Sequence, residues 1–182
     1  MKANQYGVVP SKSPYLLVRG GVQSNYRKGK RFDWAYGLEL AGNISAKNPI
    51  DTNHRGAENS ILIPQLFVKA KLGIFEIYVG RRKEIVGLVD STLSSGSYIW
   101  SGNALPMPKI QISIPNFVPI KFTGGILSIK GNFAHGWFEN NRTDVKNFYL
   151  HQKSIYFKIG KPNWKMNFYT GFNHQAQWGG EL

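Results

Sequence analysis

A chain of 182 residues without a single cysteine has no disulfide scaffold and no thiolate metal site. It also lacks any run of 18 or more apolar residues, which excludes an inner-membrane helical protein. Its 23 basic residues against 10 acidic ones, a formal charge of +13, suit polyanionic partners: nucleic acid, anionic lipid headgroups or acidic polysaccharide.

The N-terminus runs from Met1 to Pro10 and Pro14 without the apolar stretch of a signal peptide. The first strand pattern, near 14–23, sets Leu16, Val18 and Val22 against Leu17, Arg19 and Gln23. Residues 24–31, with Arg27, Lys28, Lys30 and Arg31, form a basic loop. The clearest alternation opens the second strand, at 32–45. Phe32, Trp34, Tyr36, Leu38 and Leu40 fall on one face, and Asp33, Ala35, Gly37, Glu39 and Ala41 on the other. A polar stretch rich in turn formers, 46–59, reads as a long loop. Residues 61–72 place Leu66, Val68, Ala70 and Leu72 opposite Gln65, Lys69 and Lys71, and a short turn at Gly73 leads to Phe75, Ile77 and Val79 opposite Glu76, Tyr78 and Arg82.

The fifth strand, 108–114, alternates Ile110, Ile112 and Ile114 with Lys109, Gln111 and Ser113; a less regular sixth spans about 121–134. The seventh sets Ile155, Phe157 and Ile159 against Tyr156, Lys158 and Gly160. Pro162-Asn163-Trp164 turns into an eighth, where Met166, Phe168 and Phe172 oppose Lys165, Asn167, Tyr169 and Asn173. The chain then stops at Gln175–Leu182, just past the strand pattern. The expectation is a single β-barrel segment over 1–182, cut from a longer chain at both ends.

Aromatic-rich apolar faces of about ten residues, opposite polar ones, mark a transmembrane β-barrel. A lysine on the lipid side at the bilayer midplane costs about 2–4 kcal/mol. Lys69, Lys71, Lys109, Lys158 and Lys165 share parity with polar neighbours, so they are expected to face the lumen or its rims. The same alternation also allows a soluble β-sandwich with those lysines in water.

The most distinctive segment lies between the fourth and fifth strands. It runs Gly80-Arg81-Arg82-Lys83-Glu84, Gly87-Leu88-Val89-Asp90-Ser91, then Ser94 to Pro108. Within it, Ser95-Gly96-Ser97, the patch Tyr98-Ile99-Trp100, Ser101-Gly102-Asn103-Ala104 and Pro106-Met107-Pro108 resemble the signature of the Wzi capsule-assembly family. Later stretches are similar to its Bacteroidetes branch: Lys130-Gly131-Asn132-Phe133-Ala134-His135-Gly136-Trp137-Phe138-Glu139, Lys158-Ile159-Gly160-Lys161-Pro162, His174 and Trp178-Gly179-Gly180. The resemblance spans roughly 15–180. It implies an all-β fold, an antiparallel transmembrane barrel of which about eight strands are present here. It also implies a non-enzymatic, lectin-like anchor that holds capsular or other surface polysaccharide at the outer membrane.

Candidate ligand groups follow from charge logic and that resemblance. Arg81, Arg82 and Lys83 suit glycan carboxylates, with Arg able to bind them bidentately. Tyr98 and Trp100 suit stacking on sugar rings, and Ser97, Ser101 and Asn103 suit hydrogen bonds to hydroxyls. Trp137, Trp164 and Trp178 also fit an interfacial girdle. His54, His135, His151 and His174 show no ligand spacing, and no metal or cofactor is expected. Asn43-Ile44-Ser45 and Asn141-Arg142-Thr143 match a glycosylation pattern that has no meaning in a bacterial protein.

The expected partners are acidic surface polysaccharide, outer-membrane lipid and lipopolysaccharide, bound by a monomer, with no nucleic acid. Two other readings stay open: a small outer-membrane barrel enzyme acting on lipid through Ser, His and Asp, and a soluble basic β-domain binding nucleic acid with steep salt dependence.

Overall fold

A computed structural model describes residues 7–9, 15–45, 59–90, 97, 100, 102–139 and 146–181. Eight strands follow one another: β1 (Tyr15–Gln23), β2 (Phe32–Ser45), β3 (Asn59–Leu72), β4 (Phe75–Arg81), β5 (Pro108–Pro119), β6 (Leu127–Trp137), β7 (Lys146–Ile159) and β8 (Phe168–Glu181). They form one open sheet in simple chain order, β1 to β8, with antiparallel neighbours. The described residues fall into two compact units. One draws on Met1–Ser24, Tyr36–Phe67 and Arg81–Pro106, the other on Asn25–Ala35, Val68–Gly80 and Met107–Leu182.

In the first unit β1 pairs with β2 from Tyr15↔Ser45 to Gln23↔Gly37. In the second, β5 pairs with β6, β6 with β7, and β7 with β8, the last from Lys146↔Glu181 to Ile159↔Phe168. Gly73, the first residue of the two-residue β3–β4 turn, has φ 60°. A tight hairpin takes glycine there because the left-handed backbone conformation is strained for a residue with a Cβ.

Burial decides between membrane wall and soluble sandwich. On β5, Lys109, Gln111 and Ser113 are 2%, 5% and 5% exposed, while Ile110 and Ile112 stand 42% and 51% exposed. On β4, Glu76 and Tyr78 are buried while Phe75, Ile77 and Val79 lie in the open. β2 likewise exposes Phe32, Trp34, Tyr36, Leu40 and Ile44 and buries Asp33 and Asn43. In water each such Ile or Val would forgo about 1.5–3 kcal/mol of burial, and a buried lysine would add a further cost. Hydrocarbon outside and a polar interior remove both penalties. The strands are therefore wall segments of a transmembrane β-barrel, with the apolar parity outward.

Inside, several polar groups pair with one another. Ser154 hydrogen-bonds Asn132, Asn132 Nδ2 donates to Gln111 at 3.4 Å, and the Tyr156 hydroxyl donates to Asn173 Oδ1 at 2.6 Å. Lys109 Nζ lies over the Tyr78 ring, and Lys69 and Lys71 lie over Tyr26. Lys158 lies over Tyr169, and Lys165 falls in the β7–β8 turn.

Four details depart from the sequence expectations. Residues 121–126 are not strand: Lys121–Thr123 form a 3-10 turn ended by Gly124 and Gly125 at φ 62° and 78°. Thr123 Oγ1 closes it by donating to the Ile120 carbonyl and accepting from the Leu127 N–H. β5 does not stop at Ile114 but continues to Pro119 through an irregularity between Ile114 and Val118, where Pro115 has no N–H to give the ladder. On β3 the exposed parity slips from Ile61 and Ile63 to Leu66 and Val68 across the fully buried Pro64. Lastly, β8 runs on through Gln175–Gly180 to Glu181. The expected 46–59 loop, apart from Asn59 in β3, lies outside the described residues.

Reversing the chemistry of one outward position tests the face assignment. Ile112→Lys should lower unfolding stability in lipid vesicles by about 2–4 kcal/mol if it sits near the midplane. The lumen-side Ser113→Ala should cost clearly less; equal losses in urea titrations would contradict the assignment.

Candidate functional site

The densest polar constellation of the first unit is built around Glu39, which alternation turns to the polar side of β2. Arg19 on β1 donates to its Oε1 from Nε at 3.0 Å and Nη2 at 2.5 Å. Lys83 Nζ reaches both carboxylate oxygens, at 2.7 and 2.5 Å. Gln65 on β3 donates to Oε2 at 3.1 Å while its own Oε1 accepts the Lys83 backbone N–H at 3.2 Å. Two cations thus share one carboxylate, and the cluster keeps a net positive charge.

Beside it opens a cavity of about 340 Å³ whose lining includes Arg19, Gly21, Gln23, Leu38, Glu39 and Gln65. Position 21 has no room for a side chain against the β2 backbone: an added Cβ at Gly21 would meet the Leu38 carbonyl oxygen at 2.5 Å.

Next to the cluster, Arg82 rests 5.9 Å from the centre of the buried Phe67 ring and pairs with Glu84 at 3.3 Å. Gly37 makes room for that ring, since a Cβ there would come within 2.6 Å of it. Arg81, the last residue of β4, is half-buried. The three consecutive cations are therefore not a bare positive run: Arg82 is balanced by Glu84 and Lys83 by Glu39. The sequence carried a signal for both, an acid two residues after Arg82 and an acid on the polar parity of β2, but cross-strand distance fixed the pairing.

The remaining expected groups lie in the long β4–β5 connection. Ser97 and Trp100 form an isolated antiparallel bridge and are half-buried; Asn103 is exposed. Tyr98 and Ser101 lie outside the described residues. Sequence reasoning missed the partner of this connection. Gly7, at φ 68°, packs against the backbone of Asn103, Ala104 and Leu105, and the fully buried Val8 accepts a hydrogen bond from Asn43 Nδ2 at 3.2 Å.

In the second unit the basic 24–31 loop is tied down by one carboxylate. Asp33 accepts from the Arg27 backbone N–H at 2.6 Å and from Arg27 Nη2 at 2.6 Å. Through that hydrogen bond and its charge it raises the exposed Arg27 guanidinium above its ordinary value.

A family model described as capsule assembly protein Wzi matches residues 14–181. No curated protein and no solved structure matches the chain.

Removing the shared carboxylate should expose its structural weight. Glu39→Gln leaves the half-buried Lys83 and the exposed Arg19 without their shared carboxylate and should destabilise the protein by about 1.5–3 kcal/mol. Adding Lys83→Met should recover part of that loss, because the two residues are coupled. Strictly additive losses in denaturant titrations would show that Lys83 does not depend on Glu39.

Proposed function

The chain belongs to the Wzi capsule assembly family, and from that membership we propose that it binds acidic surface polysaccharide and anchors it at the bacterial outer membrane without chemical turnover. The coarser role, capsule assembly by an outer-membrane β-barrel protein, comes with the family. The ligand is our reading, and one arrangement carries it: the Arg19–Glu39–Lys83–Gln65 cluster beside its cavity.

Sugars are recognised through rigid planar groups offering donors and acceptors together. This cluster supplies a guanidinium, an amide and a carboxylate held in place by one another. Glu39 does not abolish the attraction for an acidic glycan, because two cations compete for it. The arginine's five donors also exceed those the carboxylate uses. Arg82, over the Phe67 ring, and Arg81 extend the donor set along the chain toward Ser97, Trp100 and Asn103. Tyr98 and Ser101 join the same proposed set through the resemblance. The protein acts as a monomer, with outer-membrane lipid around it.

A soluble nucleic-acid-binding domain is disfavoured by the exposed Ile, Phe and Trp side chains on the outward face, which would have to lie in water.

Replacing Arg81, Arg82 and Lys83 by Ala should loosen polysaccharide retention on cells several-fold while the protein still assembles in the outer membrane. Trp100→Ala, which leaves the Glu39 cluster intact, should weaken retention less but measurably. Retention unchanged in both, at equal protein level, would contradict the polysaccharide assignment.

A further inference from the structure

Charge is shared unevenly among the connections between strands. Residues 25–31, 73–74, 120–126 and 160–167 all belong to the second unit, and the up-and-down strand order gathers them at one end of its strands. Arg27, Lys28, Lys30 and Arg31 lie in the first of these connections. Lys121 lies in the third, Lys161 and Lys165 in the fourth, and none of the four contains an acid. The remaining connections, 46–58, 82–107 and 138–145, carry five cations against six acids in the sequence. The basic surplus of the connections is therefore confined to one set of turns.

Of its seven cations, Arg27 is neutralised by Asp33. The other six form no ion pair among the described residues; five are exposed and Lys161 is half-buried. Backbone bonds tie the turns together in pairs. The Gly73 N–H donates to the Arg31 carbonyl at 2.8 Å, and the Gly160 N–H to the Ile126 carbonyl at 2.8 Å. Large apolar side chains stand open among the cations: Phe122 is 90% exposed and Met166 67%, with Ile74 and Trp164 nearly half exposed. An aqueous polyanion would satisfy the charges and leave these groups in water. A headgroup layer takes both, cations at its phosphates and apolar or aromatic groups at its acyl boundary.

Strand geometry puts this end at headgroup level. Leu127–Ile159–Phe168 and Trp137–Tyr149–Trp178 are the first and last outward rows across β6, β7 and β8. They stand ten residues apart on β6, about 33 Å of strand. At a tilt of about 40° that span rises about 25 Å, the height of the apolar band. The turns 120–126 and 160–167 begin immediately beyond the first row, where hydrocarbon gives way to headgroups. Outer-membrane barrels keep their short turns on the periplasmic side. The two-residue turn 73–74 belongs to this end, so the lipid it meets is phospholipid.

We propose that Lys28, Lys30, Arg31, Lys121, Lys161 and Lys165 form a binding surface for the phosphates of anionic phospholipid, with Phe122, Trp164 and Met166 seated at the acyl boundary. This rests on the membrane placement of the sheet, not on the polysaccharide reading of the Glu39 cluster. Clustered lysines and arginines at a membrane surface draw anionic lipid in preference to zwitterionic lipid, and salt screens the attraction.

The full chain, reconstituted in phosphatidylcholine vesicles with a trace of spin-labelled phosphatidylglycerol or spin-labelled phosphatidylcholine, tests the surface by the fraction of label immobilised at the protein. Wild type should immobilise phosphatidylglycerol several-fold in preference, and about 1 M salt, where the Debye length is about 3 Å, should reduce that preference. Changing all six cations to Gln should abolish it, whereas changing the five lysines to Arg should preserve it. If the sixfold variant does not assemble, Lys121→Gln with Lys161→Gln and Lys165→Gln should still lower it. Equal immobilisation of both lipids by wild type, or an undiminished preference in the Gln variants, would overturn the surface while leaving the membrane placement standing. No immobilisation of either lipid would reject the placement and the surface with it. Polysaccharide retention on cells should stay at the wild-type level in the Gln variants; its loss with the lipid preference intact would give these turns to the glycan and overturn the proposal.

Discussion

Everything in this structure depends on which side of the sheet meets hydrocarbon. Outside a bilayer, exposing Ile110, Ile112, Ile77 and Val79 while burying Lys109, Gln111 and Glu76 would forgo the largest favourable term in folding. Inside one, lipid contact costs the apolar residues nothing, and the polar residues must find partners in the interior. The same medium explains the simple sheet order, because each backbone N–H and C=O must be paired by a neighbouring strand. β1 and β8 end the order of strands, so within hydrocarbon their outer edges call for further strands or closure.

Once polar groups are confined to the interior, their pairing becomes the source of specificity. Glu39 gathers Arg19, Lys83 and Gln65 from three other stretches of chain. Arg82 is held between Glu84 and the face of Phe67. Such networks fix side chains without the long-range packing of an apolar core, and they leave charged donors oriented toward open space. The residues proposed to meet polysaccharide are then the same ones that hold the interior of the wall together.

Much of the fold was legible because alternation is a local property. β2 begins and ends where its pattern does, and the Gly73 turn sits where the periodicity breaks. What escaped was decided by partners rather than by pattern. Pro115 and Asn116 read as a stop, yet the ladder with β6 resumes at Val118. Residues 121–126 carry Ile, Phe and Thr like a strand, but the Thr123 hydroxyl and two positive-φ glycines make a turn. The Gln- and Gly-rich end of β8 has little strand character of its own and is held by pairing with β7. The site was half legible: the cations and the distinctive connection stood out, whereas the balancing role of Glu39 needed the strands side by side.

The face assignment can be read directly because the chain contains no native cysteine. Single cysteines placed in turn at positions 109 to 114 of β5, spin-labelled in lipid vesicles, report collision with oxygen dissolved in lipid against a water-borne nickel reagent. The account predicts a two-residue alternation, with oxygen favoured at 110 and 112 and its accessibility low at 109, 111 and 113. A reversed alternation, or six positions equally open to the water-borne reagent, would contradict it.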